Sequence, residues 1–157
     1  MRNTKIYTKM KKYLFLVIAV VFSFTSGYAF DKYSIDRNDL PEAAQTFLTE
    51  YFPKAKVGMV KTDKHLLKKT DYDVKLVNGT KIEFNNSGKW TSVDCKTREV
   101  PEGIVPKTIR TYVKKNFPDV KIVKIEKTST KYEVGLSDDV ELTFNLLGQF
   151  KSMKMDD

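Results

Sequence analysis

The chain has 157 residues, with 28 basic and 20 acidic side chains and a formal charge of +8. Five of the basic residues, Arg2, Lys5, Lys9, Lys11 and Lys12, precede residue 30 and no acid does, so the remainder carries 23 basic against 20 acidic residues, a net of +3. That balance is an ordinary soluble surface and excludes a nucleic-acid-binding reading.

Lys11-Lys12 precede an apolar run from Tyr13 to Phe22, and Gly27-Tyr28-Ala29 places small residues where a signal peptidase reads them. Residues 1–29 are therefore expected to be an export signal. The run is short of the roughly 20 apolar residues that span a bilayer, and no integral membrane segment is expected after cleavage. Met10-Lys11-Lys12 is itself a complete signal-peptide beginning. Cys95 is the only cysteine, so an intramolecular disulfide is impossible and the core must hold the exported chain.

Residues 30–39 are polar and read as a lead-in. From Leu40-Pro41 to Phe52-Pro53 the apolar residues Leu40, Ala43, Ala44, Phe47, Leu48, Tyr51 and Phe52 fall at spacings of three and four, which predicts an amphipathic helix. Pro41 suits a first helical turn and Pro53 ends the pattern. Strand patterns follow. Val57 to Lys61 is the first; Tyr72, Val74 and Leu76 alternate with Asp73 and Lys75; Ile82 and Phe84 flank Glu83; a fourth carries Trp90 and Val93. Asn78-Gly79 is a strong two-residue hairpin signal. Asn85-Asn86-Ser87-Gly88 reads as a turn closed by glycine. Trp90 and Val93 lie on opposite faces unless a bulge intervenes.

Most of this is written twice. Val105-Pro106 to Phe117-Pro118 repeats the helix with Val105, Ile109, Tyr112, Val113 and Phe117, at an offset of 65. Val120 to Lys127, then Tyr132-Glu133-Val134-Gly135-Leu136, Leu142-Thr143-Phe144-Asn145 and Gly148-Gln149-Phe150 repeat the strands, at an offset of 60 from the second onward. Asp138-Asp139 stands where Asn78-Gly79 stood and fits positive φ less well. The expected fold is α+β: two tandem repeats at 40–95 and 105–157, joined by a linker at 96–104. Each repeat is expected to be one helix plus a four-stranded antiparallel sheet. Both helices would lie on one face, with the sheets joining into one continuous concave sheet. The open face would carry Asp73, Lys75, Lys81, Glu83, Asn85, Glu133, Ser137, Glu141, Thr143 and Asn145.

The series Leu-Pro, a helix ending Phe-Pro, Tyr-x-Val-x-Leu, Asn-Gly, Ile-x-Phe-Asn, Gly-x-Trp and Val-Asp-Cys resembles the bacterial PepSY-like family, also described as β-lactamase-inhibitor-like. The resemblance covers about residues 38–155. It implies exported envelope proteins, periplasmic or secreted, whose sheets form a concave surface. The inhibitor label describes shape, and no β-lactamase target follows from it.

Catalytic chemistry finds little support. His65, the one histidine, sits in a lysine-rich loop and lacks partners for a triad or a zinc site. Cys95 reads as a packed thiol at a strand end, since activation wants a base or a helix N-terminus. Asp71-x-Asp73 and Asp138-Asp139-x-Glu141 do not match a calcium loop. Lys61, Lys64, Lys68 and Lys69 read as a guarded edge. The expected function is an exported non-enzymatic module, without cofactor or metal and monomeric. It would bind a protein or peptide of the envelope, inhibitor-like, through Lys75, Lys81, Glu83, Trp90, Glu133, Glu141 and Thr143. The alternative is a small-ligand or calcium-responsive periplasmic protein.

Overall fold

The computed structural model describes residues 31–63 and 71–155. The export signal, His65, Lys64, Lys68 and Lys69 lie outside the described residues. Among the described residues there are nine strands: β1 (Lys32–Ser34), β2 (Val57–Asp63), β3 (Asp71–Leu76), β4 (Lys81–Phe84), β5 (Trp90–Asp94), β6 (Ile122–Lys127), β7 (Lys131–Leu136), β8 (Val140–Asn145) and β9 (Phe150–Met155). The helices are α1 (Glu42–Tyr51) and α2 (Lys107–Asn116). All neighbouring strands pair antiparallel, in chain order, in one nine-stranded sheet.

This overturns the expected pair of repeats, each with its own four-stranded sheet. The fold is one sheet with two helices laid on it. β5 pairs directly with β6, matching Ser92 to Glu126, Val93 to Ile125 and Asp94 to Lys124. The physical reason is edge satisfaction: two separate four-stranded sheets would leave the N–H and C=O groups of β5 and β6 unpaired. The polar lead-in is also corrected, because it supplies β1, which pairs with β2 from Lys32↔Thr62 to Ser34↔Val60. The expected linker holds core residues as well. Val100 and Ile104 are buried, and the Val100 N–H donates to the carbonyl of Ile122 at 2.8 Å.

One row of side chains shows where the core sits. Val60, Val74, Ile82, Val93, Ile125, Val134, Leu142 and Met153 are register partners in succession from β2 to β9. The first seven are fully buried under the helices. From α1, Ala44, Phe47 and Leu48 enter this layer, and from α2, Ile109 and Val113. Phe47 meets Phe84 edge-on at 5.5 Å, and Tyr112 meets Phe144 edge-on at 5.3 Å. Tyr51, Phe52 and Phe117, read as core from spacing, are only partly buried because they close the helix ends. Ala43 faces solvent.

Two turns clamp the helices. Gly88 and Gly148 have φ of +73° and +74°. A Cβ on Gly88 would stand 2.9 Å from the Ala44 nitrogen, and one on Gly148 2.0 Å from Thr108 Oγ1. Glycine is therefore required twice over, by conformation and by contact with the start of each helix. Asp139 adopts φ of 62°, so the β7–β8 hairpin forms without a glycine there, as a short polar side chain allows.

Candidate functional site

The face opposite the helices carries two rows that run across the strands. One consists of Tyr33, Lys61, Asp73, Glu83, Ser92, Glu126, Glu133, Thr143 and Ser152, each opposite the next. The other consists of Met59, Lys75, Lys81, Asp94, Lys124, Gly135, Glu141 and Lys154. Strand alternation puts these side chains outward because the inward set is committed to the core.

The charge pattern on this face is unusual. Asp63 stands opposite Asp71, Asp73 opposite Glu83, Lys75 opposite Lys81, and Glu126 opposite Glu133. Like charges directly opposite in a sheet are destabilising, by roughly the 0.2–1 kcal/mol that opposite charges would contribute. Opposite charges also face each other, at Lys61–Asp73, Lys81–Asp94, Asp94–Lys124 and Glu141–Lys154, while close ion pairs run along the strands. Lys61 Nζ lies 2.8 Å from Asp63, Lys124 Nζ 2.7 Å from Glu126 and Lys131 Nζ 2.5 Å from Glu133. Lys61 also reaches Asp31, at 3.2 Å. Among the described residues, neither Asp73 nor Glu83 has a basic group within ion-pair distance.

The electrostatic consequences follow. Desolvation against the flanking strands raises the Asp73 pKa above its ordinary value; Lys61 opposes this, while Asp63, Asp71 and Asp31 add to it. Glu83 is raised for the same first reason, with Asp73 and Glu126 contributing. Lys124 is raised by its bond to Glu126. An acidic band therefore crosses β2, β3, β4, β6 and β7, beside a basic stretch at Lys75 and Lys81.

With this geometry in view, the comparisons are informative. The family model described as "Putative beta-lactamase-inhibitor-like, PepSY-like" matches residues 70–152. The chain belongs to this PepSY-like family. A "putative periplasmic protein of unknown function" from Bacteroides vulgatus ATCC 8482 is 38% identical, with a TM-score of 0.76 over 80% of this chain and 99% of its own. A second "putative periplasmic protein" from the same organism is 41% identical, with a TM-score of 0.75 over 82% and 99%. A "putative calcium-regulated periplasmic protein" from Bacteroides thetaiotaomicron is 39% identical, with a TM-score of 0.75 over 79% and 96%. Comparison with curated proteins gives no match. This PepSY-like chain is periplasmic or secreted, as these relatives are described.

The residues singled out from sequence separate into two groups. Lys75, Lys81, Glu83, Glu133, Glu141 and Thr143 all lie on the open face of the PepSY-like sheet. Glu83 shares its row with Glu133 and Thr143, and Lys81 shares the other with Glu141. Glu83 and Glu141 are not side by side: four strand steps separate β4 from β8, about 19 Å at the usual spacing. Trp90 does not join them. A bulge between Glu83 and Phe84 sets Trp90 opposite Phe84 and Val93 opposite Ile82, so both face the helices. There the Trp90 ring packs 6.4 Å from that of Phe47.

Sequence reading missed Ser92, Asp94, Lys124 and Glu126, which complete both rows across the β5–β6 seam. It also missed Asp31 and Asp63 at the β2 end of the band, which gather on Lys61, a residue read from sequence only as guarding an edge. Alternation within β6 was the available signal, but it needed the β5–β6 pairing to give it meaning. Cys95 is buried, and burial raises its thiol pKa, with Thr80 acting in the opposite sense. Two shallow grooves flank the helix ends. One of about 510 Å³ is lined by Tyr51, Phe52, Pro53 and Val77, and one of about 540 Å³ by Val105, Arg110, Val113 and Phe117.

Proposed function

We propose that this chain is an exported, non-enzymatic binding module that engages a protein or peptide of the envelope through the open sheet face. The observation that carries the reading is the set of like-charge pairs on that face, Asp73 with Glu83, Lys75 with Lys81 and Glu126 with Glu133. Exchanging Lys81 and Glu83 between rows would have made both β3–β4 pairs attractive. A surface kept only for solubility gains nothing from this cost, whereas a partner of complementary pattern turns it into register and orientation. Lys75, Lys81, Glu83, Glu133, Glu141 and Thr143 are the contact residues of this reading. Trp90 is left out because its place is under α1. The non-enzymatic part rests on side-chain inventory: the sequence holds one histidine and one cysteine, and that thiol is buried.

A double variant, Glu83→Lys with Glu141→Lys, tests it. Partners recovered from envelope extract by the wild-type chain should be bound at least about tenfold more weakly by the variant, as charge reversal across an interface does. Its melting temperature should change little, because Glu83→Lys relieves the repulsion with Asp73 while Glu141→Lys sets a lysine opposite Lys154. Unaltered binding would move the interface away from this face and end the proposal.

A second reading, calcium response, is favoured by the description of the Bacteroides thetaiotaomicron relative. The acids Asp31 and Asp63 are its best local support, but the ammonium of Lys61 already lies between them. Among the described residues no group of three or more acidic, histidine or cysteine side chains is arranged to hold a metal ion. A thermal melt with and without calcium separates the readings, because a ligand specific for the folded state raises stability.

A further inference from the structure

We propose that β9 is a docking edge, and that it takes up an extended segment of a partner protein, alternating apolar and acidic residues, as a tenth strand. Among the described residues the sheet ends at β1 on one side and at β9 on the other. β1 has three residues, a length that limits pairing. β9 has six, and every one of them is exposed. Its outer backbone groups are an open template for another strand.

The helix side of this edge is apolar and uncovered. Phe150, Met153 and Met155 stand opposite Phe144, Leu142 and Val140 and continue the core rows outward. α2 covers only the first of them, where Tyr112 stacks on Phe150 at 4.9 Å and 10°. Met153 and Met155 remain 48% and 65% exposed, and Leu147 in the turn before β9 is 74% exposed. Of the eight exposed large hydrophobic residues among those described, five (Leu146, Leu147, Phe150, Met153 and Met155) fall on this hairpin. Methionine is the side chain best able to adapt to varied apolar partners.

The other side of the strand decides the occupant. Ser152 and Lys154 alternate with the methionines on the open face, and Lys151 adjoins the bulge between Thr143 and Phe144. A second copy of β9 would set Lys154 opposite Lys154 in one register, which is repulsive, and opposite Ser152 in the register that matches Met153 to Met153, which gains nothing from charge. An incoming strand with acidic residues on that side meets them favourably, while its apolar residues extend the Met153 row. The lysines thus add nothing to self-pairing in its best apolar register and attract an acidic segment, so charge favours the acidic partner.

The test uses two blocked synthetic peptides, one alternating valine and glutamate and one alternating valine and lysine, titrated into the isotope-labelled exported chain. The glutamate peptide should shift amide resonances of β9 and the β8–β9 turn, and bind at least about tenfold more tightly than the lysine peptide. Met153→Glu should weaken that binding about tenfold, by removing the apolar contact. Lys151→Glu with Lys154→Glu, at exposed positions that leave folding intact, should invert the preference toward the lysine peptide. Equal affinities, absent shifts, shifts confined to other strands, or an unchanged preference in the double lysine variant would each overturn the proposal. So would a dimer in sedimentation that Met153→Glu dissolves, since the edge would then serve a second copy. Glu83→Lys alone, five strands from β9, tests the open face without touching this edge, whereas Glu141 stands opposite Lys154, so this result stands or falls apart from the open-face reading.

Discussion

Replacing Glu83 by glutamine should stabilise the protein, and the structure says by how much and at which pH. Glu83 stands directly opposite Asp73. Glu126, its next acidic neighbour in the row, is two strands away, across Ser92. Two strand spacings are about 10 Å, longer than the Debye length of about 8 Å at physiological salt, so the Glu126 contribution is largely screened. The Asp73 contact dominates, and a directly opposed like-charge pair costs roughly 0.2–1 kcal/mol. For a unit of this size that corresponds to a rise of about 1–4 °C in melting temperature. The pH dependence has a definite sign. The folded-state pKa of Glu83 is raised by desolvation and then by Asp73, so ionisation disfavours the folded state. That cost is complete above the folded pKa and absent below the unfolded value of about 4.3. The gain from Glu83→Gln should therefore be full near neutral pH and vanish below about pH 4. Urea denaturation followed by circular dichroism at both pH values measures it. A variant less stable than wild type near pH 7, or a gain of equal size at both pH values, would refute the electrostatic reasoning.

Phe84→Ala and Phe144→Ala, which truncate fully buried rings, should each cost about 3–5 kcal/mol in denaturant titration, and Phe52→Ala, at a partly buried helix end, distinctly less. Gly148→Ala should lower stability well beyond Gly79→Ala: both have positive φ, but only at Gly148 would the new Cβ collide with Thr108, whereas nothing lies within 4 Å at Gly79. The Gly79 change should cost about 1–2 kcal/mol, the ordinary cost of left-handed backbone, and thermal melts of the pair give the comparison. Cys95, buried and with its pKa raised by that burial, should resist thiol reagents in the native state and react promptly in denaturant. Rapid labelling of the folded protein would contradict the packing described.

What the sequence determined alone is local. Prolines at 41, 53, 106 and 118 bound two apolar stripes of helical spacing, and the helices run Glu42–Tyr51 and Lys107–Asn116 inside those bounds. Alternation in Tyr72-Asp73-Val74-Lys75-Leu76 and its later counterparts assigned inward and outward faces, because a strand turns each successive side chain over. The open-face placement of Lys75, Lys81, Glu83, Glu133, Glu141 and Thr143 follows from that period. Trp90 did not follow, because its face depends on a bulge, a backbone feature that no side chain announced.

Tertiary structure decided everything that depends on which strand lies beside which. β1 was illegible because Lys32-Tyr33-Ser34 has too few residues to show a period. The like-charge pairs appear only once register is set, since Asp73 and Glu83 each look like ordinary outward acids in their own strands. The extent of the sheet was equally hidden. Val93 and Met153 each come three residues after an aromatic that begins its strand, yet Val93 is 0% and Met153 48% exposed. The difference is β6, which lies against β5 and brings Ile125 beside Val93, whereas β9 ends the sheet. A period of two reports which way a side chain points, and only the neighbouring chain determines whether water reaches it.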